Sequence, residues 1–200
     1  METIRGRTSH QLDVNGFKDR LANYSRLTLD LGTGDGRFVR TLANRHPDRF
    51  FVGVDACREN LCEHSRARLP NMLFVIASAQ DLPGELDGLF SYVTINFPWG
   101  SLLESLLSGD QSLMLGLRSI SRPEAQIEIR LNGGALAEAG TDLAAGAKTI
   151  YENLNGHGWK LRRPWPVDGR ALGTFPTTWA KRLAHGRDPR AIALEGVLTG

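Results

Sequence analysis

An apolar strand that runs into a glycine-rich turn and then into a helix constrains the fold of this chain more than any other feature. Residues 27–31 form the apolar run, residues 32–36 contain three glycines, and residues 37–45 carry apolar side chains at helical spacing. Further short apolar runs alternate with helical segments at residues 50–54, 72–76 and 89–95. This alternation is the pattern of parallel βαβ units, so the chain is predicted to be an α/β protein with a mostly parallel sheet.

The remaining segments extend this pattern to a sheet of seven strands. Helices are predicted at residues 58–69, 102–107, 112–120 and 148–155, and strands at residues 127–131, 160–162 and 192–198. A short helix is expected at residues 177–185, on a long insertion, while residues 132–146 are rich in glycine and alanine and receive no assignment. The predicted fold is a Rossmann-like domain of residues 27–200.

Residues 1–26 precede that domain and are interpreted as an N-terminal extension. Residues 3–7 and 11–14 can pair as a short hairpin, and residues 16–24 can form a helix. The first five residues lack the apolar core of a signal peptide, and no apolar run approaches the length of a membrane span. We therefore expect a cytoplasmic protein.

A chain of 200 residues, 41% hydrophobic and 23% charged, is long enough to bury a substantial core as one domain. Its two cysteines, Cys57 and Cys62, lie five residues apart in a predicted helix and so project from poorly matched faces. We interpret them as reduced packing residues and expect neither a disulfide nor a metal site. Two of the four tryptophans, Trp159 and Trp165, are also interpreted as packing residues.

Positive charge is concentrated in the C-terminal quarter of the chain. Residues 159–190 contain eight Lys and Arg residues against two Asp, whereas the whole chain carries a formal net charge of only +2. Such a basic region suits a polyanionic partner such as a nucleic acid. An ordinary solvated surface accounts for the charge equally well, so both interpretations stay open.

The glycine-rich turn is the first candidate for a ligand site. Glycines let the backbone turn sharply after a strand and approach a ligand closely, and the following helix offers free N–H groups. The turn, with Gly32, Thr33 and Gly34, suits the carboxylate end of S-adenosylmethionine (SAM) as well as a phosphate group. Asp30, at the end of the strand, is expected to face a cationic part of the ligand. Nucleotide-binding folds share this motif, so by itself it does not separate them.

Asp55 follows the second strand, 25 residues after Asp30, and Ala56 comes next. A carboxylate at this position can accept hydrogen bonds from both hydroxyls of a ribose. The spacing also occurs in dinucleotide-dependent dehydrogenases, and Asp55 precedes a predicted helix that it can simply cap. Ala79 and Gln80, after the third strand, lie where class I methyltransferases border the adenine of SAM, or they belong to an ordinary surface loop.

The segment after the fourth strand carries the most specific signal. Asn96, Phe97 and Pro98 lead into Trp99, which offers a broad stacking face at the edge where doubly wound folds bind substrates. A second tryptophan, Trp179, lies beside polar residues on the predicted long insertion. Two aromatic faces can hold a base extruded from its helix, although tryptophans more often pack in cores.

These motifs resemble those of the aminoglycoside-resistance methyltransferases that modify N1 of adenosine 1408 in 16S rRNA, the kanamycin–apramycin resistance type. The resemblance covers nearly the whole chain and is strongest at residues 30–36, 97–103 and 179–187. It implies a class I SAM-dependent methyltransferase fold, SAM as the cofactor without a metal, and the small ribosomal subunit as the substrate. Aminoglycoside resistance is the implied biological outcome, and we expect a monomer.

The resemblance also implies roles for individual residues. Trp99 and Trp179 are expected to hold the flipped adenine between them, with Thr177 nearby. The SAM site is expected to be lined by Asp30, Gly32, Thr33, Gly34, Asp55, Ala56, Ala79, Gln80, Asn96 and Pro98. RNA contacts are expected from Thr177, Lys181, Arg182, Arg187 and Arg190.

The chain departs from the family pattern at three places. Gln80 stands where the family has Glu, residues 132–146 are short and unlike their counterparts, and Pro189 interrupts the match after Arg187. Three alternatives therefore stay open: methylation of another RNA, methylation of a small molecule, and a SAM-binding or RNA-binding relative without activity. The basic C-terminal quarter argues against the small molecule.

Overall fold

The computed structural model describes residues 1–178, 180 and 190–199, and the helix predicted at residues 177–185 lies mostly outside them. Within the described residues one sheet contains ten strands: β1 (Glu2–Arg5), β2 (Thr8–Gln11), β3 (Leu27–Leu31), β4 (Phe50–Asp55), β5 (Met72–Ile76), β6 (Phe90–Asn96), β7 (Ser121–Asn132), β8 (Trp159–Leu161), β9 (Trp165–Val167) and β10 (Ala191–Leu198). In the same part of the chain the helices are α1 (Val14–Leu21), α2 (Arg37–Arg45), α3 (Arg58–Leu61), α4 (Gly100–Ser108), α5 (Gln111–Ile120), α6 (Gly133–Glu138), α7 (Leu143–Gly156) and α8 (Gly169–Thr174). Short 3-10 turns lie at His64–Arg66 and Gly84–Leu86.

The strand order places a change of direction at the centre of the sheet. The strands run in the order β2-β1-β5-β4-β3-β6-β7-β10-β8, with β9 also paired to β10. β3 pairs in parallel with both β4 and β6, so the chain builds outward on one side of β3 as far as β5 and then crosses to the other side. In open α/β sheets, ligands bind in the crevice outside the carboxyl ends of the strands at such a point.

The α/β class and the seven predicted strands are confirmed, and three further strands join them. The hairpin of β1 and β2 pairs antiparallel with β5, where Thr3 lies opposite Val75, so the N-terminal extension enlarges the main sheet. β9 pairs with the start of β10 and contains Pro166, and a three-residue strand with a proline gives little signal in a sequence. The parallel part extends from β5 to β7, because β1 pairs antiparallel with β5 and β10 pairs antiparallel with β7.

The core lies on both faces of the sheet. Leu29 and Leu106 belong to the larger cluster, which α4, α5 and α7 cover on one face. On the other face α2 packs Val39 against Phe74. Asp30 alternates along β3 with the apolar residues of the first face, so its side chain points to the second face.

The helix predicted at residues 16–24 begins and ends earlier, as α1, and two other predicted helices differ more from the structure. The helix predicted at residues 58–69 is limited to α3 and a 3-10 turn, because Ser65 turns inward and its hydroxyl accepts a hydrogen bond of 2.9 Å from the Gly6 amide. The helix predicted at residues 148–155 starts earlier, because the Asp142 carboxylate accepts hydrogen bonds from the amides of its first turn. Tertiary contacts and capping thus decide where these helices end.

The packing interpretation of two tryptophans and two cysteines holds only in part. Trp159 is 1% exposed and belongs to the main core, as predicted. The prediction is wrong for Trp165, which is 36% exposed because β9 lies at the edge of the sheet. Both cysteines are free thiols; Cys62 packs against the smaller core cluster, but Cys57 is exposed, so the packing interpretation is wrong for Cys57. No described helix is long and apolar enough to cross a membrane, and the described residues include no group of three or more potential metal ligands.

Candidate active site

A cavity of about 470 Å³ opens where β3, β4, β5 and β6 end. All ten residues predicted to bind the cofactor line it, and so do Trp99 and Thr177. Lining residues that the sequence motifs did not single out include Asp35, Asn60, Ser78, Ser101 and Thr178. The size is within the range of small-molecule sites, and the position is the one expected at the switch point of a doubly wound sheet.

The glycine-rich turn after β3 leaves room for a ligand and is tied to β4. Gly32 has a φ of +69°, and a Cβ atom at this position would lie only 2.5 Å from Cδ2 of Leu102 in α4. The Gly34 amide donates a hydrogen bond of 2.8 Å to Oδ2 of Asp55. The turn is therefore held in place by α4 on one side and by the end of β4 on the other.

Asp55 holds this turn and does not act as the N-cap of a helix. The N-cap residue of α3 is Cys57, whose amide donates a hydrogen bond of 2.9 Å to Oδ1 of Asp55. Each carboxylate oxygen can accept more than one hydrogen bond, and the side chain lines the cavity. The N-cap alternative is therefore wrong, and the carboxylate is placed to accept hydrogen bonds from a ligand as well.

Asp30 is buried in the wall of the cavity. Its Oδ1 atom accepts hydrogen bonds of 2.7 Å from Thr94 Oγ1 and 2.8 Å from Asn96 Nδ2. Burial raises the pKa of Asp30 to about 6, although these hydrogen bonds and the Arg130 guanidinium act in the opposite direction. A cationic ligand group beside Asp30 would favour the ionised carboxylate, so the electrostatics of this position select for a cation.

Gln80 lies on the cavity wall with its amide bonded to α4. Its Nε2 atom donates hydrogen bonds of 2.7 Å to Ser105 Oγ and 3.3 Å to the Ser101 carbonyl. Its Oε1 atom accepts a hydrogen bond of 2.5 Å from Ser78 Oγ. Gln80 therefore joins the loop after β5 to α4 at the wall of the cavity.

The segment between β6 and α4 is strained and carries Trp99 at the cavity. Phe97 has a φ of +55°, a conformation that bulky residues rarely adopt. Two contacts hold Phe97 in this conformation. Its side chain packs with Leu172 and Phe175, and its amide donates a hydrogen bond of 2.8 Å to the Arg130 carbonyl. Trp99, the N-cap residue of α4, is 42% exposed, so the core-packing alternative is wrong for this indole.

Two residues that follow α8, Thr177 and Thr178, also line the cavity. Phe175 stacks on Phe38 of α2 with ring centroids 5.3 Å apart, and it meets Phe97 edge-on at 6.1 Å. Thr178 Oγ1 donates a hydrogen bond of 2.5 Å to Oδ2 of Asp35 in the glycine-rich turn. These long-range contacts bring the C-terminal segment beside the turn that follows β3.

Two of the residues predicted to contact RNA can be located. Thr177 lines the cavity, and its hydroxyl accepts a hydrogen bond of 2.9 Å from the Ala180 amide. Arg190 is exposed just before β10, beside α6, and it does not line the cavity. The other predicted residues lie outside the described part of the chain: Trp179, Lys181, Arg182 and Arg187.

A polar network behind Asp30 was not predicted from the sequence. Arg130 Nη1 donates a hydrogen bond of 2.9 Å to Asn96 Oδ1, and Nη2 pairs with Glu128. Tyr92 Oη donates a hydrogen bond of 2.6 Å to Glu128 Oε2. The alternation of charged and apolar residues along β7 indicates a polar sheet face, but it does not show which residues of β6 lie opposite.

The charges that line the cavity distinguish between the ligands left open by the motifs. Asp30, Asp35 and Asp55 contribute carboxylates, and the described lining contains neither Lys nor Arg. A dinucleotide pyrophosphate would meet negative charge here, whereas the ammonium and sulfonium groups of SAM would meet opposite charge. The residues present therefore fit SAM and disfavour the dehydrogenase alternative.

The fold and this cavity define a class I SAM-dependent methyltransferase. Solved structures agree with this class over the full length of the chain. The 16S rRNA methyltransferase KamB superposes with a TM-score of 0.90 at 27% identity, with 100% of both chains covered. The aminoglycoside resistance methyltransferase NpmB1 superposes with a TM-score of 0.80 at 32% identity, with 99% of both chains covered.

Sequence comparisons identify the family. The family model described as NpmA, 16S rRNA (adenine(1408)-N(1))-methyltransferase, matches residues 2–198. The enzyme of that name from Escherichia coli is 29% identical over 98% of both chains, and the one from Streptoalloteichus hindustanus is 28% identical over 94% of both. The chain therefore belongs to the NpmA family of 16S rRNA (adenine(1408)-N(1))-methyltransferases, which confirms the resemblance seen in its motifs.

Proposed function

We propose that this protein transfers the methyl group of SAM to N1 of adenosine 1408 in 16S rRNA and thereby confers resistance to kanamycin and apramycin. One observation carries the proposal: a single cavity is lined by Asp30, by Asp55 and by Trp99. Family membership supplies the identity of the acceptor base. The substrate is the intact small ribosomal subunit, and the enzyme acts on it as a monomer in the cytoplasm.

The residues at the ends of β3 and β4 bind the cofactor. Asp30 binds the cationic methionine part, and Asp55 accepts hydrogen bonds from the ribose hydroxyls. Ala56 and Ala79 provide small side chains beside the adenine, and Gln80, in the loop after β5 and hydrogen-bonded to α4, borders it. When bound, SAM supplies a methyl group that is activated by the positive charge of its sulfonium.

Trp99 and Trp179 hold the flipped adenine between their rings, with Thr177 beside them. Stacking contributes about 1–3 kcal/mol per base and aromatic face, so two faces offset the few kcal/mol needed to unstack the base. Adenine N1 has an in-plane lone pair at neutral pH, so no side chain has to remove a proton first. The protein accelerates transfer by holding the base in line with the methyl group, and the indoles favour the positive charge of the product.

The basic C-terminal quarter docks the enzyme on the ribosomal subunit. Lys181, Arg182, Arg187 and Arg190 bind phosphates of folded rRNA, which selects for shape more than for sequence. The methyl group adds bulk and a positive charge where cationic aminoglycosides bind. Drug affinity falls as a result, and resistance follows.

Purified small subunits, tritiated SAM and primer extension test this function. A methyl group on N1 blocks the Watson–Crick edge, so reverse transcriptase should stop beside adenosine 1408 only after treatment with enzyme and SAM. Subunits with guanosine at that position should take up no label. Transfer to tRNA or to a small molecule would overturn the proposal, and SAM binding without any transfer would support the inactive relative.

A further inference from the structure

Arg130 lies behind the cofactor-binding carboxylate and contacts three parts of the fold. Its Nη1 atom donates a hydrogen bond of 2.9 Å to Asn96 Oδ1 at the end of β6, and its Nη2 atom forms an ion pair with Glu128 on β7. The guanidinium carbon lies 4.0 Å from the centre of the Phe175 ring. Its side chain is only 15% exposed, so these contacts hold the guanidinium in one place.

The hydrogen-bond chain from Arg130 to Asp30 has a fixed direction. A guanidinium can only donate, so the Asn96 side chain must turn its carbonyl oxygen toward Arg130. Nδ2 of Asn96 then faces Asp30 and donates a hydrogen bond of 2.8 Å to its Oδ1. The opposite orientation would set donor against donor and acceptor against acceptor, and both hydrogen bonds would be lost. Arg130 therefore favours the orientation in which the amide donates to Asp30.

The positive charge of Arg130 favours the ionised form of Asp30, as does the Asn96 hydrogen bond that Arg130 orients. Burial raises the pKa of Asp30 to about 6, and the positive charge of Arg130 opposes that rise. Asp35 and Asp55 line the same cavity with further negative charge, and Glu128 partly offsets Arg130 through their pair. The ionised form of Asp30 thus depends on the balance between Arg130 and these three acidic groups.

We propose that Arg130 is a positioning residue for SAM binding: it orients the Asn96 amide toward Asp30 and keeps that carboxylate ionised for a cationic ligand. This role rests on the proposed function, because it takes Asp30 to bind the methionine part of SAM. Glu128 fixes the guanidinium and also weakens its charge, while accepting a hydrogen bond from Tyr92. Substitutions of Arg130 and Glu128 should therefore move the ionisation of Asp30 in opposite directions.

Three variants test this role: Arg130→Met, Arg130→Lys and Glu128→Gln. NMR titration of the Asp30 carboxyl carbon in ligand-free protein and isothermal titration with SAM would run from about pH 5 to about pH 8.5. For Arg130→Met we expect the Asp30 midpoint to rise by about one pH unit and SAM affinity near pH 6 to fall about fivefold, with recovery near pH 8.5. Arg130→Lys keeps a charge and a donor and should stay within about twofold of the unchanged protein.

Glu128→Gln is the opposing variant, because removing the charge that offsets Arg130 should lower the Asp30 midpoint. An equal loss of SAM affinity at every pH with an unmoved midpoint would show that Arg130 only packs, and it would overturn the proposal. If Arg130→Met does not fold, Glu128→Gln tests the proposal by itself. An Asp30 midpoint that is unmoved or raised in Glu128→Gln would then refute the positioning role of Arg130. The NMR titration needs neither SAM nor ribosomes, so its result stays separate from any failure of the proposed methyl transfer.

Discussion

The two walls of the active-site cavity are built in different ways. The cofactor wall, residues 30–34 with residues 55–56, directly follows buried strands and is held by the 2.8 Å hydrogen bond between Gly34 and Asp55. The substrate wall, Thr177 and Thr178, belongs to a segment that is held by side-chain contacts with distant parts of the chain, such as the Phe175–Phe38 stack. Strand pairing positions the first wall, whereas a small number of tertiary contacts position the second.

This difference separates two kinds of substitution. Segments held by few contacts open at a lower free-energy cost than core strands, so the substrate wall can adjust to RNA while the cofactor wall stays formed. Substitutions in the cofactor wall should change SAM affinity whether or not RNA is present. Substitutions that face the target base should lower RNA methylation and leave SAM affinity intact.

Trp99→Ala should have the largest effect and should separate the two functions of the cavity. Loss of a stacking face worth about 1–3 kcal/mol should lower methylation of small subunits about tenfold to hundredfold and abolish kanamycin and apramycin resistance in a bacterial host. SAM affinity and the melting temperature should stay close to their original values, because the indole is 42% exposed. Trp99→Phe should retain more activity, since it keeps an aromatic face.

Trp165→Ala is the matched control for this experiment. Trp165 is 36% exposed but does not line the cavity, so its removal should leave methylation unchanged. Trp179→Ala should behave like Trp99→Ala if both rings hold the same base. Full activity of Trp99→Ala would rule out the stacking role, and a loss of about 3–5 kcal/mol in stability would mean that the indole packs in the core.

Asp30→Asn should have the next largest effect and concerns the cofactor wall alone. Loss of the negative charge should weaken SAM binding by about 2–3 kcal/mol, or about 30- to 140-fold by titration calorimetry. Stability without ligand should not fall, because burial raises the pKa of Asp30 to about 6 and ionising it in the folded state at neutral pH costs free energy. The amide also keeps an oxygen for the hydrogen bonds from Thr94 and Asn96. A lower melting temperature with unchanged SAM affinity would give Asp30 a structural role only.

The cofactor wall could be predicted from the sequence because its residues sit next to the strands that position them. Asp30 and Asp55 each lie at the end of an apolar run, and parallel strands that neighbour each other bring such ends together. The same reasoning located Asn96 and Trp99 after β6. Local pattern and the rules of sheet topology are sufficient for this part of the site.

The substrate wall and the network behind Asp30 could not be predicted in this way. Phe175 stacks on Phe38, and Thr178 donates a hydrogen bond to Asp35. In both pairs the two residues are separated by most of the chain in sequence. Arg130 reaches Asn96 only because β6 and β7 pair in a particular register. No periodicity or short motif encodes such contacts, since they depend on how completed elements pack.

The affinity of the cofactor wall for SAM should depend on pH. Asp30 has a pKa of about 6, and a cationic ligand binds its ionised form, so binding below that pH must release a proton. SAM affinity should be constant above about pH 7. Well below pH 6 it should fall towards tenfold per pH unit, and Asp30→Asn should remove this dependence.

In ligand-free protein, stability should change with pH in the opposite direction. The folded state holds the extra proton on Asp30, so the contribution of Asp30 to the free energy of unfolding declines as the pH rises from about 4 to about 6. Calorimetry and thermal melts across this range measure both, and a flat SAM profile would contradict the assignment.

Gln80→Glu should have the smallest effect, and it shows whether the loop after β5 belongs functionally to the cofactor wall. The added charge should tighten SAM binding by at most about 1–2 kcal/mol, since the contact is partly solvated. The local geometry tolerates the change, because the hydroxyls of Ser78 and Ser105 can both donate to a carboxylate. Only the 3.3 Å contact between Nε2 and the Ser101 carbonyl has no replacement.

Ser105→Ala distinguishes a charge effect of Gln80 from a tethering effect. It removes the 2.7 Å partner of Gln80 in α4 and adds no charge, so a charge effect predicts SAM affinity within about twofold of the original for this variant. If Gln80 only tethers the loop to α4, Ser105→Ala should weaken SAM binding, whereas Gln80→Glu, which keeps the hydrogen bond to Ser105, should leave it unchanged. Titrations at low and high salt add a second criterion, because salt screens a charge effect and leaves a tether unaffected. Unchanged or weaker binding by Gln80→Glu at both salt concentrations would restrict the cofactor wall to the ends of β3 and β4.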